Sequence, residues 1–400
     1  MDLSFSEADQ QFREEVRDFL DAHLTEDLRR AAQRTTTVFA DKDVAMRWQQ
    51  ILVEKGWAVP QWPVEYGGTG WTITQKFIFS EECAKAGAPG LIPLGLRMLA
   101  PVLFRYGTDE QKSYYLPRML AGEDYWCQGY SEPGAGSDLS SLRCRAVKDG
   151  DDYIVNGTKI WTTHAQFADH IFCLVRTDDT VKPQAGITFL LIDMATPGVK
   201  VEPIITMAND HEVNQVFFDD VRVPQANRVG PENEGWTAAK YLLEFERGGG
   251  SAAAGLKVAA ANLRKTATEQ LVDGEPLITQ PGFARRLNAI DIRVASLEFT
   301  EKAGLARLAA GGSPGPESSL MKNTSVELQQ AVAELMLEAA NYYAMPHANK
   351  ISMNAYNDPW VGPEFAETAT PRYLNSRAAS VFGGSKEVQK NIVAKVVLGL

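Results

Sequence analysis

Cysteine is scarce in this 400-residue chain, and what there is forms no useful pattern. Cys83, Cys127, Cys144 and Cys173 contain no Cys-x-x-Cys pair, which excludes a disulfide frame and a cysteine zinc site and reads as small buried side chains in a reducing compartment. Histidine is equally thin: of five, His164 and His170 stand six apart in a strand-like region, not at the helical i, i+4 spacing of a metal pair, so no metal site is predicted. No apolar run reaches membrane-spanning length, so no membrane insertion is predicted. The first residues, MDLSFSEADQQ, lack both the basic and the apolar segment of a secretory signal and the Arg/Ser bias of a transit peptide, giving a cytoplasmic expectation. Positive charge is also short: 40 Lys and Arg face 51 Asp and Glu, a net charge of −11. A field of that sign disfavours nucleic acid and anionic membranes as partners, but leaves room for one anionic small molecule at a local basic site.

The remaining composition, 44% hydrophobic and 23% charged, is that of a globular protein, and its length exceeds one ordinary core. Residues 1–123 read as helical. Ser6 with Asp9 three residues on signals a helix start, and Phe12, Val16, Phe19 and Leu20 then share one face. A second helix carries Val44, Trp48, Ile51 and Leu52 up to Gly56; others follow over about 72–86, 91–106 and 109–120. The period changes near residue 124. Short strand-like runs at 125–130, 143–148, 153–156, 171–176, 187–192, 199–204 and 215–223 follow, with Asp149-Gly150 as a hairpin turn signal. No helical segment separates them, which predicts an antiparallel barrel or sandwich over 124–234. Helical pattern returns over 235–400, with a long loop at 344–370. The predicted fold is α+β: N-terminal helical bundle, central antiparallel β-barrel or sandwich, C-terminal helical bundle.

One stretch organises the rest. Residues 128–138 (QGYSEPGAGSD) precede a hairpin pattern, and residues 159–165 (KIWTTHA) follow it. Two glycines among small hydroxyl residues suit a loop whose backbone lies against a flat or charged ligand. Trp161 beside Thr162 and Thr163 offers an aromatic face next to hydroxyl donors, as an aromatic cofactor requires. The same residues also suit a turn-rich β segment with a core tryptophan.

The order of these features, with 105–117 (RYGTDEQKSYYLP), 156–163 (NGTKIWTT), 217–224 (FFDDVRVP) and 383–400 (GGSKEVQKNIVAKVVLGL), resembles the acyl-CoA dehydrogenase family of flavoproteins over nearly the whole chain. The resemblance implies FAD as cofactor, with Gln128, Tyr130, Ser131, Gly136, Ser137, Trp161, Thr162, Thr163, Ser385 and Glu387 at its site. It implies Ser137, Glu244, Arg247, Gly383 and Gly384 about the acyl-CoA substrate. It implies α,β-dehydrogenation of the thioester to the trans-2-enoyl-CoA: a carboxylate takes the α proton and the β hydrogen passes as hydride to flavin N5. The α C–H is a poor acid, so the reaction needs both a placed base and donors to the thioester oxygen.

Many members of that family carry the base as a Glu in the C-terminal motif, here 380–389 (SVFGGSKEVQ), where the position is Gly383. Glycine keeps an N–H for the oxyanion and has no carboxylate. A smaller branch places the base on the first long helix of the C-terminal domain, which corresponds to Glu246 in 242–250 (LLEFERGGG). Glu246 is the predicted base; the alternative is that Glu244 and Glu246 are solvated helix charges. Gly248, Gly249 and Gly250 after it suggest room for a bulky acyl group, or a break in the helix.

Two departures from the family pattern follow. Residues 269–283 (EQLVDGEPLITQPGF) lack the Arg-x-x-Phe-Gly that reaches a neighbouring subunit's FAD, and residues 341–370 replace the Gln-x-x-Gly-Gly-x-Gly segment of the adenine side. Such losses resemble bacterial two-subunit members, in which a large and a small subunit divide the contacts and the acyl groups include dicarboxylic, aromatic and steroid-derived ones. The resemblance therefore implies a homo-oligomer or a heterotetramer with a small subunit, and an electron-transfer flavoprotein as acceptor. A non-catalytic partner subunit is the alternative, and oxidase, desulfinase or monooxygenase chemistry on the same fold a third. Arg97, in an otherwise apolar helix, reads as a snorkelled surface arginine; the alternative is that it meets a distal carboxylate of the acyl group.

Overall fold

The computed structural model describes residues 5–247, 252–312, 315–346 and 361–400, with no account of the side chains of residues 244–247. Its first helix, α1 (Glu7–His23), starts where the sequence signals it: the Ser6 hydroxyl accepts from the Asp9 N–H and Asp9 answers at the Ser6 N–H, a closed capping box, and Phe12, Val16, Phe19 and Leu20 form its buried face. The N-terminal helices continue as α2 (Glu26–Gln33), α3 (Lys42–Lys55), α4 (Ile73–Ala86), α5 (Ala100–Tyr106) and α6 (Asp109–Ala121). Gly56, Gly87 and Gly122 end α3, α4 and α6 in left-handed conformation, where a Cβ would be strained. The expected single helix over 91–106 is a π-turn, Leu94–Leu99, running into α5.

Seven strands follow: β1 (Trp126–Gly129), β2 (Arg145–Asp149), β3 (Asp152–Thr163), β4 (His170–Arg176), β5 (Ile187–Asp193), β6 (Val199–Ile205) and β7 (His211–Pro224). They form one sheet in the order β1-β4-β2-β3-β7-β6, with β5 on β4. Most pairings are antiparallel as predicted; β1 on β4, and the Arg145–Arg176 bridge of β2 on β4, are parallel. The sheet has two apolar faces. On β4, Phe172 and Leu174 join the core shared with the N-terminal helices, while Ile171, Cys173 and Val175 fill the interior of the β unit; on β5, Ile187, Phe189 and Leu191 face the helices, and Leu190 and Ile192 face inward. This period-two alternation, with both faces apolar, produces the continuous hydrophobic runs of these two strands.

The C-terminal part begins with α7 (Gly235–Arg247). A Cβ on Gly235 would stand 2.6 Å from backbone atoms of Thr188 and Phe189, so the glycine permits the helix to start directly on β5. Ala238, Ala239 and Leu242 then bury against the helix-facing side of the sheet. Helices α8 (Ala252–Glu269), α9 (Pro281–Ala309) and α10 (Glu317–Ala340) enclose a separate core around Leu263, Phe283, Leu287, Leu328 and Leu335. A two-residue hairpin, β8 (Leu271–Val272) with β9 (Glu275–Pro276), joins α8 to α9. Helices α11 (Glu364–Ser376) and α12 (Lys386–Val393) complete the chain, so part of the predicted loop at 344–370 is helical; residues 347–360 of it lie outside the described residues.

Candidate functional site

The loop after β1 is fixed to the end of β3 by both main chain and side chains. The Ile160 N–H donates to the Ser131 carbonyl at 2.9 Å. Within the loop, Glu132 and Ala135 exchange two backbone hydrogen bonds, at 2.9 and 3.0 Å. The Glu132 carboxylate, 8% exposed, accepts from the wholly buried Lys159 ammonium at 2.7 Å and from the N–H groups of Arg143 and Cys144 at 2.6 and 2.9 Å. Lys159 also donates to the Tyr130 carbonyl at 3.2 Å. Burial alone would drive the Lys159 ammonium down; neighbouring negative groups, Glu132 among them, outweigh it and hold it above its ordinary value. Gly134, Gly136 and Ser137 are left exposed on the loop, and a Cβ built on either glycine would meet nothing within 4 Å.

Beyond Lys159 the pairing of β3 with β7 slips, a bulge between Lys159 and Thr162. Trp161 sits on it with φ of 60° and is 60% exposed, where a large aromatic residue gains nothing from the core and carries backbone strain. Strain of this kind collects at binding sites. Thr162 is 1% exposed with its Oγ1 buried, and its side chain is thereby withdrawn from the face that Trp161 occupies; Thr163 is half-buried and pairs with Val213. Gln128 is half-buried on β1, and Tyr130 packs edge-on against Phe172 and Phe189 in the core.

Glu212, next to Val213, joins the three parts of the chain. Its carbonyl accepts from the His164 N–H at 3.0 Å. Its carboxylate, in a residue only 3% exposed, accepts from the Val38 N–H at 2.5 Å and from Asn375 Nδ2 of α11 at 2.9 Å. Burial pushes its pKa up; the Asn375 and Val38 donors oppose that and nearby Asp210 adds to it. The segment after Asn375 leads to Gly383 and Gly384, both left-handed, with φ of 64° and 81°. Gln389 Nε2 donates to the carbonyls of Gly383 and Gly384 at 3.2 and 3.4 Å. Ser385 caps α12, its hydroxyl accepting from Val388 N–H at 3.3 Å. Glu387 is exposed in the first turn, its carboxyl held below the ordinary range by its own N–H and by the Ser385 hydroxyl.

The predicted residues on 128–137 and 161–163 are thus brought into one region by Glu132 and Lys159, which lie inside the sequence motifs but carry no predicted role. Their flanks, 130–134 (YSEPG) and 157–161 (GTKIW), mix small, polar and apolar residues, so nothing local marks the two as a buried pair. Glu244, Glu246 and Arg247 are placed by their backbone in the last turn of α7; their side chains, and Gly248, Gly249 and Gly250, lie outside the described residues. Arg97 lies in the Leu94–Leu99 π-turn, where burial lowers its pKa. An exposed aromatic wall, a half-buried hydroxyl beside it and glycines with open space above them fit the flat ring system of a flavin.

Comparison with known proteins gives matches along nearly the whole chain. Family models described as acyl-CoA dehydrogenase N-terminal, middle and C-terminal domains match residues 6–123, 127–221 and 233–398. Acyl-CoA dehydrogenase FadE26 of Mycobacterium tuberculosis is 32% identical over 415 aligned positions, covering 100% of this chain and 99% of the relative. A chain of the ChsE4-ChsE5 complex of M. tuberculosis superposes with a TM-score of 0.80 at 32% identity, covering 100% of this chain and 99% of that one. A chain of the Tcur3481-Tcur3483 steroid ACAD gives 0.83 at 26% identity, with the same coverage.

Proposed function

The chain belongs to the acyl-CoA dehydrogenase family, FAD-dependent oxidoreductases acting on CH–CH groups, and from that premise we propose that it desaturates an acyl-CoA thioester between Cα and Cβ with Glu246 as base. FAD, when bound, supplies the acceptor for the β hydrogen and its electron pair. The chain's own residues do the rest. Trp161 would wall the ring system, Thr163 and the Ser131–Ser137 backbone would hydrogen-bond its edges, and Ser385, with Glu387 at the start of α12, would serve the more distal part. Glu246 takes the α proton, and the Gly383 N–H donates to the thioester oxygen as charge develops there.

The observation that carries this reading is the geometry around Gly383. That position has no carboxylate and adopts φ of 64°, and no acceptor for its N–H is found among the described residues. A donor so oriented is half of what the reaction needs. The other half must come from elsewhere, and the family resemblance gives it to Glu246, whose backbone lies in the last turn of α7. Anaerobic titration of the purified holoprotein with short, long, branched, aromatic, dicarboxylic and steroid-derived acyl-CoAs tests the reading. Bleaching of the flavin by at least one class is expected; none by any class would overturn it. Steroid-derived thioesters come first, because one structural relative is a steroid ACAD.

A second reading has its own support. The adenine-side motifs missing from 269–283 and 341–370, together with the paired names of the ChsE4-ChsE5 and Tcur3481-Tcur3483 relatives, favour a chain that completes its FAD site with a second subunit. Stoichiometric FAD on the chain expressed alone supports a homo-oligomer; FAD retained only with a small subunit supports the heterotetramer. We place the protein in the cytoplasm, with an electron-transfer flavoprotein as the oxidant of its reduced flavin.

A further inference from the structure

The turn that carries Gly383 is gripped from one side by α10. Lys322 Nζ donates to the Ala379 carbonyl at 3.1 Å and to the Gly384 carbonyl at 2.8 Å, closing the turn at both ends with a single ammonium group. Asn323 Nδ2 donates to the Lys386 carbonyl at 3.2 Å, and Gln330 Nε2 to the Ser376 carbonyl at 3.0 Å. Inside the turn the N–H groups of Val381 and Phe382 both go to the Ala378 carbonyl, at 2.9 and 3.1 Å. The carbonyls of Gly383 and Gly384 go to Gln389. The Phe382 N–H before the Gly383 N–H and the Gly383 and Gly384 carbonyls after it are therefore committed, while the Gly383 N–H itself has no acceptor among the described residues.

Two adjacent glycines with left-handed φ would otherwise leave this turn the freest part of the segment, because glycine has the most conformational freedom to lose. A donor to a developing oxyanion is effective only when its direction is set beforehand. We propose that Lys322 is a positioning residue for oxyanion stabilisation: its ammonium, bonded to the Ala379 and Gly384 carbonyls, fixes the turn so that the Gly383 N–H is held toward the thioester oxygen. This rests on the assignment of Gly383 as oxyanion donor. The step is a proton transfer only: the α C–H bond breaks, the proton passes to Glu246, and the electron pair spreads onto the thioester oxygen.

The test uses FAD-loaded holoprotein and 3-thiaacyl-CoA ligands of short, long and aromatic classes, whose α proton is acidic and whose β position, being sulfur, cannot be oxidised. The bound anion is read from its long-wavelength absorbance against the oxidised flavin, and its apparent pKa from a pH titration. Lys322→Met is expected to keep its FAD and to raise the ligand pKa by about one to two pH units, the worth of a hydrogen bond to a charged group, with Lys322→Arg recovering at least half of the shift. Gln330→Ala, which loosens the same segment at Ser376, is expected to lower thermal stability without moving the ligand pKa. Should Lys322→Met fail to fold, Lys322→Gln keeps a donor without the charge, and a smaller upward shift is expected there. An unchanged ligand pKa in the Lys322 variants, or an equal shift in Gln330→Ala, overturns the inference. Wild-type protein that produces no anion absorbance with any ligand class overturns instead the function on which it rests.

Discussion

The Lys159 ammonium lies 2.7 Å from the Glu132 carboxylate, with the lysine side chain fully buried. This pair, with the Ile160 N–H to Ser131 carbonyl bond, joins the loop after β1 to the far end of β3 and so helps to position the exposed glycines and the exposed Trp161. Taking two charges out of water is costly, and such a pair is weak support for stability in itself; losing one member is what harms the fold. Lys159→Met leaves Glu132 buried with the Arg143 and Cys144 N–H groups as its remaining partners among the described residues. A loss of about 3–5 kcal/mol in urea unfolding is expected, with parallel loss of bound FAD. A variant within about 0.5 kcal/mol of wild type, the range of an ordinary surface substitution, would contradict this role.

Trp161 gives the opposite expectation. Its left-handed φ of 60° and 60% exposure mean that the fold gains little from it. Trp161→Gly removes backbone strain of about 1–2 kcal/mol and adds glycine's entropic cost of about 0.5–1 kcal/mol. The apoprotein should therefore unfold within about 1 kcal/mol of wild type by the same arithmetic, while FAD retention falls. A large loss of apoprotein stability would show that the indole serves the core.

Two glycines separate ligand space from fold space. Gly136 has ordinary φ and open space for a Cβ, so Gly136→Ala should leave the apoprotein as stable or raise it by about 0.4–1 kcal/mol. Its effect should appear only in weaker FAD binding. At Gly384, φ is 81° and a Cβ would stand 2.5 Å from Gln389 Nε2, so Gly384→Ala should cost about 1–3 kcal/mol with or without ligand. Equal thermal shifts for the two variants in the apoprotein would refute the distinction.

Glu212 predicts a pH effect. Burial raises its folded pKa above the ordinary 4.5, so in that window the folded state binds more protons than the unfolded one. Its contribution to stability is present in full below the ordinary value and is lost as pH rises through the raised one. Glu212→Gln still accepts from Val38, and the Asn375 amide can turn its oxygen toward the new NH2 group. The variant's stability relative to wild type should therefore rise with pH from about 4 upward, from the ordinary carboxylate range. Denaturation at a series of pH values measures it, and a gap that stays flat with pH counts against a raised pKa at Glu212.

Much of the fold was legible because local chemistry and tertiary packing agree. The Ser6–Asp9 capping box, the left-handed Gly56 and the alternating strands do in the structure what their residue types favour. What escaped has identifiable causes. Helix α2 is only eight residues long, and its apolar stripe is a single leucine, Leu28, with two alanines, Ala31 and Ala32. Helix α11 hides behind Gly362 and Pro363 and contains Pro371, all of which read as loop. The parallel contact of β1 with β4 joins residues 44 positions apart in sequence (Trp126 with His170), and no local pattern encodes it. In the site, the exposed residues could be read from motifs, whereas Glu132, Lys159, Glu212 and Lys322 could not. Their function lies in contacts between segments remote in sequence, and each looks in isolation like an ordinary surface charge.

The account stands or falls on Glu246. The most direct measurement is anaerobic titration of FAD-loaded Glu246→Gln with the acyl-CoA that bleaches wild type best, followed at the main flavin absorbance band. The variant is expected to hold FAD and bind the thioester, seen as a perturbed flavin spectrum, yet to lose bleaching by a factor of about 10² or more, the usual worth of general base catalysis. Bleaching at the wild-type rate and extent would contradict the assignment and place the base elsewhere in the chain.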